Sequence, residues 1–269
     1  MSMQIHLNER IISIGGEETL FNIRDRFKQD ADVLILNGFP SNRDAELTAG
    51  DRVVLIRRGE IPDAAELEAQ LMARSTPGVY EAIHGATVGI AGVGGLGSSI
   101  AVALARTGVG RLILADFDLV EPSNLNRQQY FIDQIGMPKV DALKANLARI
   151  NPNVQTALFY GRLNRENIPQ IFAPVDILVE AFDAPDQKAL LVETFRKNHP
   201  TKPVVAGSGM AGYGSANTVV TRRAGKNFYL CGDGESAAAP GNGLMAPRVG
   251  VAAHHQANAV LRLLLGEEP

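Results

Sequence analysis

Five polar residues of this chain, Asp116, Asn124, Arg127, Lys139 and Asp183, lie at or just past the ends of apolar runs or at the start of a helix. Open α/β sheets bind their ligands beyond strand ends of that kind. Upstream is Gly92-Val93-Gly94-Gly95-Leu96-Gly97-Ser98, which follows the apolar run 87–91. Glycines there let the backbone turn sharply, approach a ligand closely and enter a helix. The start of that helix presents unpaired N–H groups and roughly half an elementary positive charge, a seat for phosphate. Asp116 closes the next apolar run at the spacing where a carboxylate accepts hydrogen bonds from ribose hydroxyls. The glycines and Asp116 define a nucleotide site but leave NAD, FAD and ATP open.

The remaining residues narrow the choice. Hydride transfer does not need an arginine, a lysine and two carboxylates around a phosphate cradle, because its cofactor carries the chemistry. Attack by a carboxylate on the α-phosphate of ATP does need them. Charge builds on the phosphoryl oxygens, and cationic groups together with Mg²⁺ offset it. Plainer readings exist for each residue. Asp116 can be a turn residue, Asp183 can cap the helix that follows it, and Arg127 and Lys139 can be solvated surface charges.

Alternation of strands and helices positions these residues. Strands are expected at 87–91, 111–115, 154–158, 176–180 and 203–207, with helices near 95–107, 137–149, 164–171 and 185–197. That order predicts an α/β fold, a Rossmann-like, doubly wound and mostly parallel sheet covered on both faces. A further strand is expected at 216–222, then a mobile crossing loop over 225–243, then a helix from Ala246 to Leu265 opened by Pro247. Residues 1–60 read differently: two alternating strands, a helix at 19–28, a strand at 33–36 stopped by Asn37-Gly38, and a strand at 52–56. This is the order of a small β-grasp (ubiquitin-like) domain. Residues 61–80 form a linker helix with Asp63 as N-cap and Glu66 at capping-box spacing. Residues 81–269 form the nucleotide-binding domain.

Bulk properties set limits. A net charge of −3 gives no support to nucleic-acid binding, and no apolar stretch approaches the ~20 residues that cross a bilayer. The first residues lack the plan of a signal peptide, so a cytoplasmic location is expected. One cysteine, Cys231, excludes an internal disulfide and a multi-cysteine zinc site. His254 and His255 are adjacent on a helix and cannot share a metal.

Five motifs occur in order: Gly-x-Gly-Gly-Leu-Gly-Ser from Gly92, Asp-x-Asp-x-Val-x-x-Ser-Asn-Leu-x-Arg-Gln from Asp116, Gly-x-Pro-Lys from Gly136, Ile150-Asn151-Pro152, and Leu244-Met245-Ala246-Pro247. From about residue 70 onward the chain resembles the ubiquitin-activating superfamily in its ThiF and MoeB branch. With its first sixty residues it is similar to the short ThiF variant carrying a ThiS-like N-terminal domain. The resemblance implies adenylation of the C-terminal glycine carboxylate of a small β-grasp sulfur-carrier protein, ThiS, in thiamine biosynthesis, with release of pyrophosphate. It implies that Gly92, Gly94, Gly95 and Gly97 line ATP, Asp116 takes the ribose, and Asn124 and Arg127 approach the phosphates. Lys139 would reach the α- and β-phosphates and Asp183 would hold Mg²⁺. It further implies a homodimer with an arginine reaching into the partner's site, for which Arg74 is the candidate. A working carrier ends in a free Gly-Gly, whereas this chain continues through Arg57-Arg58-Gly59-Glu60, so its own β-grasp unit is expected to dock or support. Relatives that hold zinc use two Cys-x-x-Cys pairs; here Phe228 and Cys231 occupy the first, and no zinc is expected. Other substrates within the superfamily are a molybdopterin-type carrier or a modified tRNA base, and outside it an NAD-dependent oxidoreductase or a non-catalytic scaffold remains open.

Overall fold

A computed structural model describes residues 2–269, so Met1 of the first expected domain lies outside the described residues. Period-two alternation builds the opening hairpin, in which β1 (Ser2–Leu7) pairs antiparallel with β2 (Arg10–Gly15). Its two-residue turn, Asn8 and Glu9, takes positive φ at both positions, matching the twist of the strands. Helix α1 (Leu20–Phe27) starts at Thr19, whose side chain accepts from the Asn22 N–H, and it buries Leu20 and Ile23. Strands β3 (Val33–Leu36), β4 (Phe39–Pro40) and β5 (Arg52–Ile56) complete a sheet of order β2-β1-β5-β3-β4. β1 and β5 run parallel, as a β-grasp requires. Ile5, Leu7, Leu34, Val53 and Leu55 pack on the helix side.

The other face of this small sheet is also covered. Helix α2 (Ala64–Met72) is capped by Asp63, which accepts from the Glu66 N–H, and it leads into Ala73 packed on Ile35 and Val54. The Glu66 side chain does not close the capping box. It pairs instead with Lys28 at 2.6 Å, because a cation offers a stronger bond than a backbone N–H. Contacts divide the chain into a unit of residues 1–80 and one of 81–269, with α3 (Val79–Ile83) spanning the boundary.

In the second unit β6 (Thr87–Ala91) leads into α4 (Gly95–Thr107), β7 (Arg111–Asp116), α5 (Lys139–Ile150) and β8 (Gln155–Tyr160). The chain then crosses back through α6 (Ile168–Ile171) to β9 (Ile177–Glu180), α7 (Pro185–Asn198) and β10 (Val204–Gly207). A hairpin of β11 (Val220–Gly225) and β12 (Phe228–Gly232) and the long helix α8 (Ala246–Leu264) complete it. The sheet order is β11-β12-β10-β9-β6-β7-β8, parallel except for β11. Helices α6 and α7 cover one face, where Phe172, Leu191 and Phe195 are fully buried, and α4, α5 and α8 cover the other. The winding reverses between β6 and β9. The crevice outside that pair is where such sheets take ligands.

Three expectations are corrected. Residues 225–243 are not all crossing loop: residues 228–232 form β12, an inner strand paired parallel with β10. The strand expected at 216–222 starts only at Val220, because Ser215 caps a short 3-10 turn over 216–218. The helix expected at 164–171 is reduced to its last turn. Asn164 and Asn167 exchange side-chain to backbone bonds that hold the preceding residues in a turn.

Candidate nucleotide site

β6 ends at the reversal point, and the chain turns at Gly92, where φ is +85° and a Cβ would lie 2.9 Å from the Ala181 carbonyl oxygen. Gly97 is tighter still, since a Cβ there would lie 1.9 Å from the Gly92 carbonyl oxygen. Only glycine lets the first turn of α4 pack this closely on the turn before it. Gly94 is the N-cap and supplies no side-chain hydrogen bond, so the N-terminal amides of a 13-residue helix face the crevice without a protein cap. The methylenes of Arg127 lie over Gly95, 3.5 Å from where its Cβ would be.

Asp116, at the end of β7, is buried. Its Oδ2 accepts from the Val93 N–H at 2.7 Å and its Oδ1 from the Asp118 N–H at 2.9 Å. Each oxygen retains a lone pair for another donor. Burial raises its carboxyl above the usual range against the opposing pull of these amides and of Lys139. The turn reading of Asp116 is therefore part of the truth, because the Asp118 bond is an Asx turn. The Val93 bond ties the same carboxylate to the glycine segment.

Beside Asp116 opens a cavity of about 220 Å³, lined among others by Phe117, Arg162, Phe182, Asp183 and Gln187. The Arg162 guanidinium stacks over the Phe117 ring, 4.1 Å from its centre. Asp183 is exposed on this wall and makes no hydrogen bond or ion pair among the described residues. It does not cap α7, whose N-cap is Ala184 with no side-chain bond. A Mg²⁺ ion is held by one or two carboxylates together with substrate phosphates, and a carboxylate free in this way fits that donor set.

Lys139, at the first position of α5, is buried to 6% exposure, which removes the surface-charge reading. Its Nζ donates to Asp118 Oδ2 at 2.8 Å. Asn124 is buried, with Oδ1 accepting from the Glu121 N–H, and its Nδ2 is not bonded among the described residues. Arg127 is half-buried. Its Nη1 donates to the Ser123 carbonyl and to Asn126 Oδ1, while its Nε is buried without a partner. Arg74 is exposed in the turn after α2 and belongs to the first unit.

Several residues at the site carried no signal of their own in the sequence. Tyr130 donates its hydroxyl to the Val93 carbonyl at 2.6 Å, and Ser98 Oγ accepts from the Gln129 N–H while donating to the Gly94 carbonyl. Residues 127–130 are thus fastened along the glycine turn. Glu180, fully buried at the end of β9, is pushed up by burial against the pull of Lys188, whose Nζ is 3.0 Å away and also donates to the Gly207 carbonyl. A carboxylate inside an apolar strand is the one visible sign of such a pair in a sequence.

Cys231 is fully buried on β12 with its thiol 3.5 Å from Thr221 Oγ1, which also contacts His255 Nδ1 at 3.1 Å. Burial pushes this thiol up to about 11. His254 bonds back to the Gly250 carbonyl, so the two histidines diverge. Among the described residues no group of three or more His, Cys, Asp and Glu side chains could hold a metal, and no helix is long and apolar enough to cross a membrane.

A parallel sheet reversing beside a glycine turn, with a carboxylate at the next strand end fastened to that turn, is a Rossmann-like, doubly wound α/β arrangement. The chain belongs to the ThiF family: that family's pattern matches residues 67–269, and a ThiS-like ubiquitin pattern matches residues 3–59. It is similar to the molybdopterin-synthase adenylyltransferase of Salmonella typhimurium, 34% identical over 68% of this chain and 75% of that one. It is also 38% identical to the tRNA threonylcarbamoyladenosine dehydratase of Bacillus subtilis, over 45% of this chain and 48% of that protein. The match to that relative therefore spans just under half its length. Among solved structures, the tRNA N6-threonylcarbamoyladenosine dehydratase of E. coli in complex with ATP superposes with a TM-score of 0.68 at 21% identity, covering 77% of this chain and 97% of that one. That likeness establishes the fold.

Proposed function

We propose that this protein is an ATP-dependent adenylyltransferase that activates the C-terminal glycine carboxylate of a small β-grasp sulfur carrier, ThiS in thiamine biosynthesis. The observation that carries the reading is Asp116, fastened to the glycine turn through Val93 and linked through Asp118 to the buried ammonium of Lys139. A ribose acceptor, a phosphate seat and a cation are thereby held in one hydrogen-bonded unit.

In this reading the cavity beside Phe117 takes adenine and Asp116 accepts from the ribose. Asn124, Arg127 and Lys139 meet the phosphates, over the turn formed by Gly92, Gly94, Gly95 and Gly97. Asp183 would hold Mg²⁺, which offsets triphosphate charge when bound. The carrier carboxylate is already ionised at neutral pH, so no general base is required. Its oxygen forms a bond to the α-phosphorus, the bond from that phosphorus to the β-phosphate oxygen breaks, and pyrophosphate leaves. The protein contributes position and electrostatic stabilisation. Arg74 acts across a homodimer. The β-grasp unit supports or docks, because its last strand runs on into α2.

The test is carrier-dependent exchange of labelled pyrophosphate into ATP, with the mass of each carrier followed in parallel. Exchange and an acyl-adenylate with a ThiS-type carrier alone support the reading in full. Exchange only with a molybdopterin-type carrier or a modified tRNA overturns the named substrate and leaves adenylation standing. Lys139→Ala and Asp183→Ala are expected to lower exchange by about 100-fold or more, the usual cost of removing one group that stabilises transition-state charge.

A further inference from the structure

Gln128 lies within the segment fastened along the glycine turn and has no structural task of its own. Its neighbours are pinned: Gln129 through its N–H to Ser98 Oγ, and Tyr130 through its hydroxyl to the Val93 carbonyl. Its backbone is engaged on both sides, the N–H to Asn124 and the carbonyl to Tyr130. The residue is 8% exposed, yet its carboxamide makes no hydrogen bond among the described residues, and Oε1 is buried without a partner. Nε2 points at the N-cap of α4, 3.7 Å from where a Gly94 Cβ would stand. The orphan Oε1 is an acceptor and takes no phosphate, but the unbonded donor Nε2, held beside an uncapped helix start, can meet an anionic oxygen there.

We propose that Gln128 is a phosphate-contacting residue, its Nε2 donating to a phosphoryl oxygen seated on the N-terminal amides of α4. The inference rests on the nucleotide-site reading above and adds a residue to it. A carboxamide suits the position chemically. It supplies an N–H beside Arg127 without a second positive charge, and a bond from it to an anionic oxygen is stronger than one to a neutral acceptor.

The experiment compares the full chain with Gln128→Glu, Gln128→Leu and Gln128→Asn, titrating adenosine, AMP and ATP by calorimetry. The wild type is expected to bind the phosphate-bearing nucleotides more tightly than adenosine. Gln128→Glu and Gln128→Leu are expected to keep adenosine affinity within about twofold and to lose about tenfold or more for AMP and ATP. The carboxylate should do worse than leucine through repulsion, and Gln128→Asn, one methylene shorter, should fall between leucine and wild type. Retained adenosine affinity certifies that each variant is folded, and if leucine disrupts packing the isosteric glutamate carries the test. An unchanged ratio of ATP to adenosine affinity overturns the proposal, as does an equal loss for all three ligands. A wild type with no preference for ATP over adenosine overturns the nucleotide reading itself, a result separable from the other two.

Discussion

At the scale of single residues, burial decides what Cys231 can do. Its thiol lies inside β12, without contact to a cation that would favour the thiolate, and is pushed up to about 11. Near pH 8 only about one part in a thousand is then thiolate, the form that attacks sulfur or carbon. Alkylation of the native protein by iodoacetamide is expected to run about 100-fold slower than that of the unfolded chain. Cys231→Ala should retain pyrophosphate exchange within about twofold. Rapid native alkylation, or loss of exchange in that variant, would restore Cys231 as a participant. Lys139 is buried as well, but with an ionic partner, its Nζ lying 2.8 Å from Asp118 Oδ2.

At the scale of elements, the glycine turn and α4 act as one piece. Gly97→Ala forces a methyl to within 1.9 Å of the Gly92 carbonyl oxygen, so the helix start must move away from the turn. The expected result is a destabilisation of roughly 1–3 kcal/mol, as for other overpacked sites, together with loss of ATP binding. Denaturant melts and calorimetry check the two effects separately, and a variant with unchanged ATP affinity would show that the turn does not seat phosphate. This turn was legible because the Gly-x-Gly-Gly-x-Gly spacing is a local steric code. β12 was not. Phe228–Cys231 is a short run after Lys226-Asn227, with Asn227 at φ 54° in the tight turn, and the small residues that follow disguise it as loop. What makes it a strand is pairing with β10, a partner more than twenty residues away. Tyr130 was invisible for the same reason, and Gln128 stood in the Arg-Gln motif with no role attached. The role of Tyr130 comes from the Val93 carbonyl, thirty-seven residues upstream, which no periodicity records.

The segment between β12 and α8 carries a second element-scale device. Arg248, buried in the first turn of α8, donates to the Gly214 and Ser215 carbonyls, to Thr218 Oγ1 and to Asp233 Oδ2 at 2.5 Å. Burial pulls the Asp233 carboxyl up, but bonds from Ser236, Glu235 and Arg248 outweigh it and hold the group well below the usual range. A carboxyl depressed in this way adds stability above its unfolded value, near 4, and loses it as pH falls below that. Asp233→Asn is expected to be less stable than wild type at pH 7 by roughly 3 kcal/mol, the usual cost of breaking a buried pair. The difference should shrink as pH drops below about 4, because Asp233 of the unfolded chain takes up a proton there while the folded carboxylate stays ionised. Asp116 and Glu180, both raised, act with the opposite sign, since a raised carboxyl gains stability as pH falls through its folded value. Only the difference between wild type and variant isolates Asp233, so paired thermal melts at pH 7, 5, 4 and 3.5 are the measurement. A gap that stays constant across that range would show that the Arg248 pair does not depress Asp233.

At the scale of the whole molecule the open question is whether one chain makes a complete site. The strong apolar and glycine signals sit in residues 81–269, and both patterned regions, 3–59 and 67–269, were legible because each codes for its own core. Arg74 is exposed in the turn after α2, and its proposed role rests on the resemblance alone, since nothing among the described residues of its own unit engages it for a site. Mixing two inactive variants discriminates. In the proposed homodimer Arg74→Ala would lack the donated arginine and Lys139→Ala the receiving lysine, so each variant alone is expected to be silent. If subunits exchange freely, half of the dimers are mixed, and each mixed dimer has one site with Lys139 from one chain and Arg74 from the other. Pyrophosphate exchange is then expected to recover to about one quarter of the wild-type rate after mixing. An arginine acting within its own chain leaves every site of the mixture defective, so no recovery is seen. Full activity of Arg74→Ala alone would remove the residue from the site altogether.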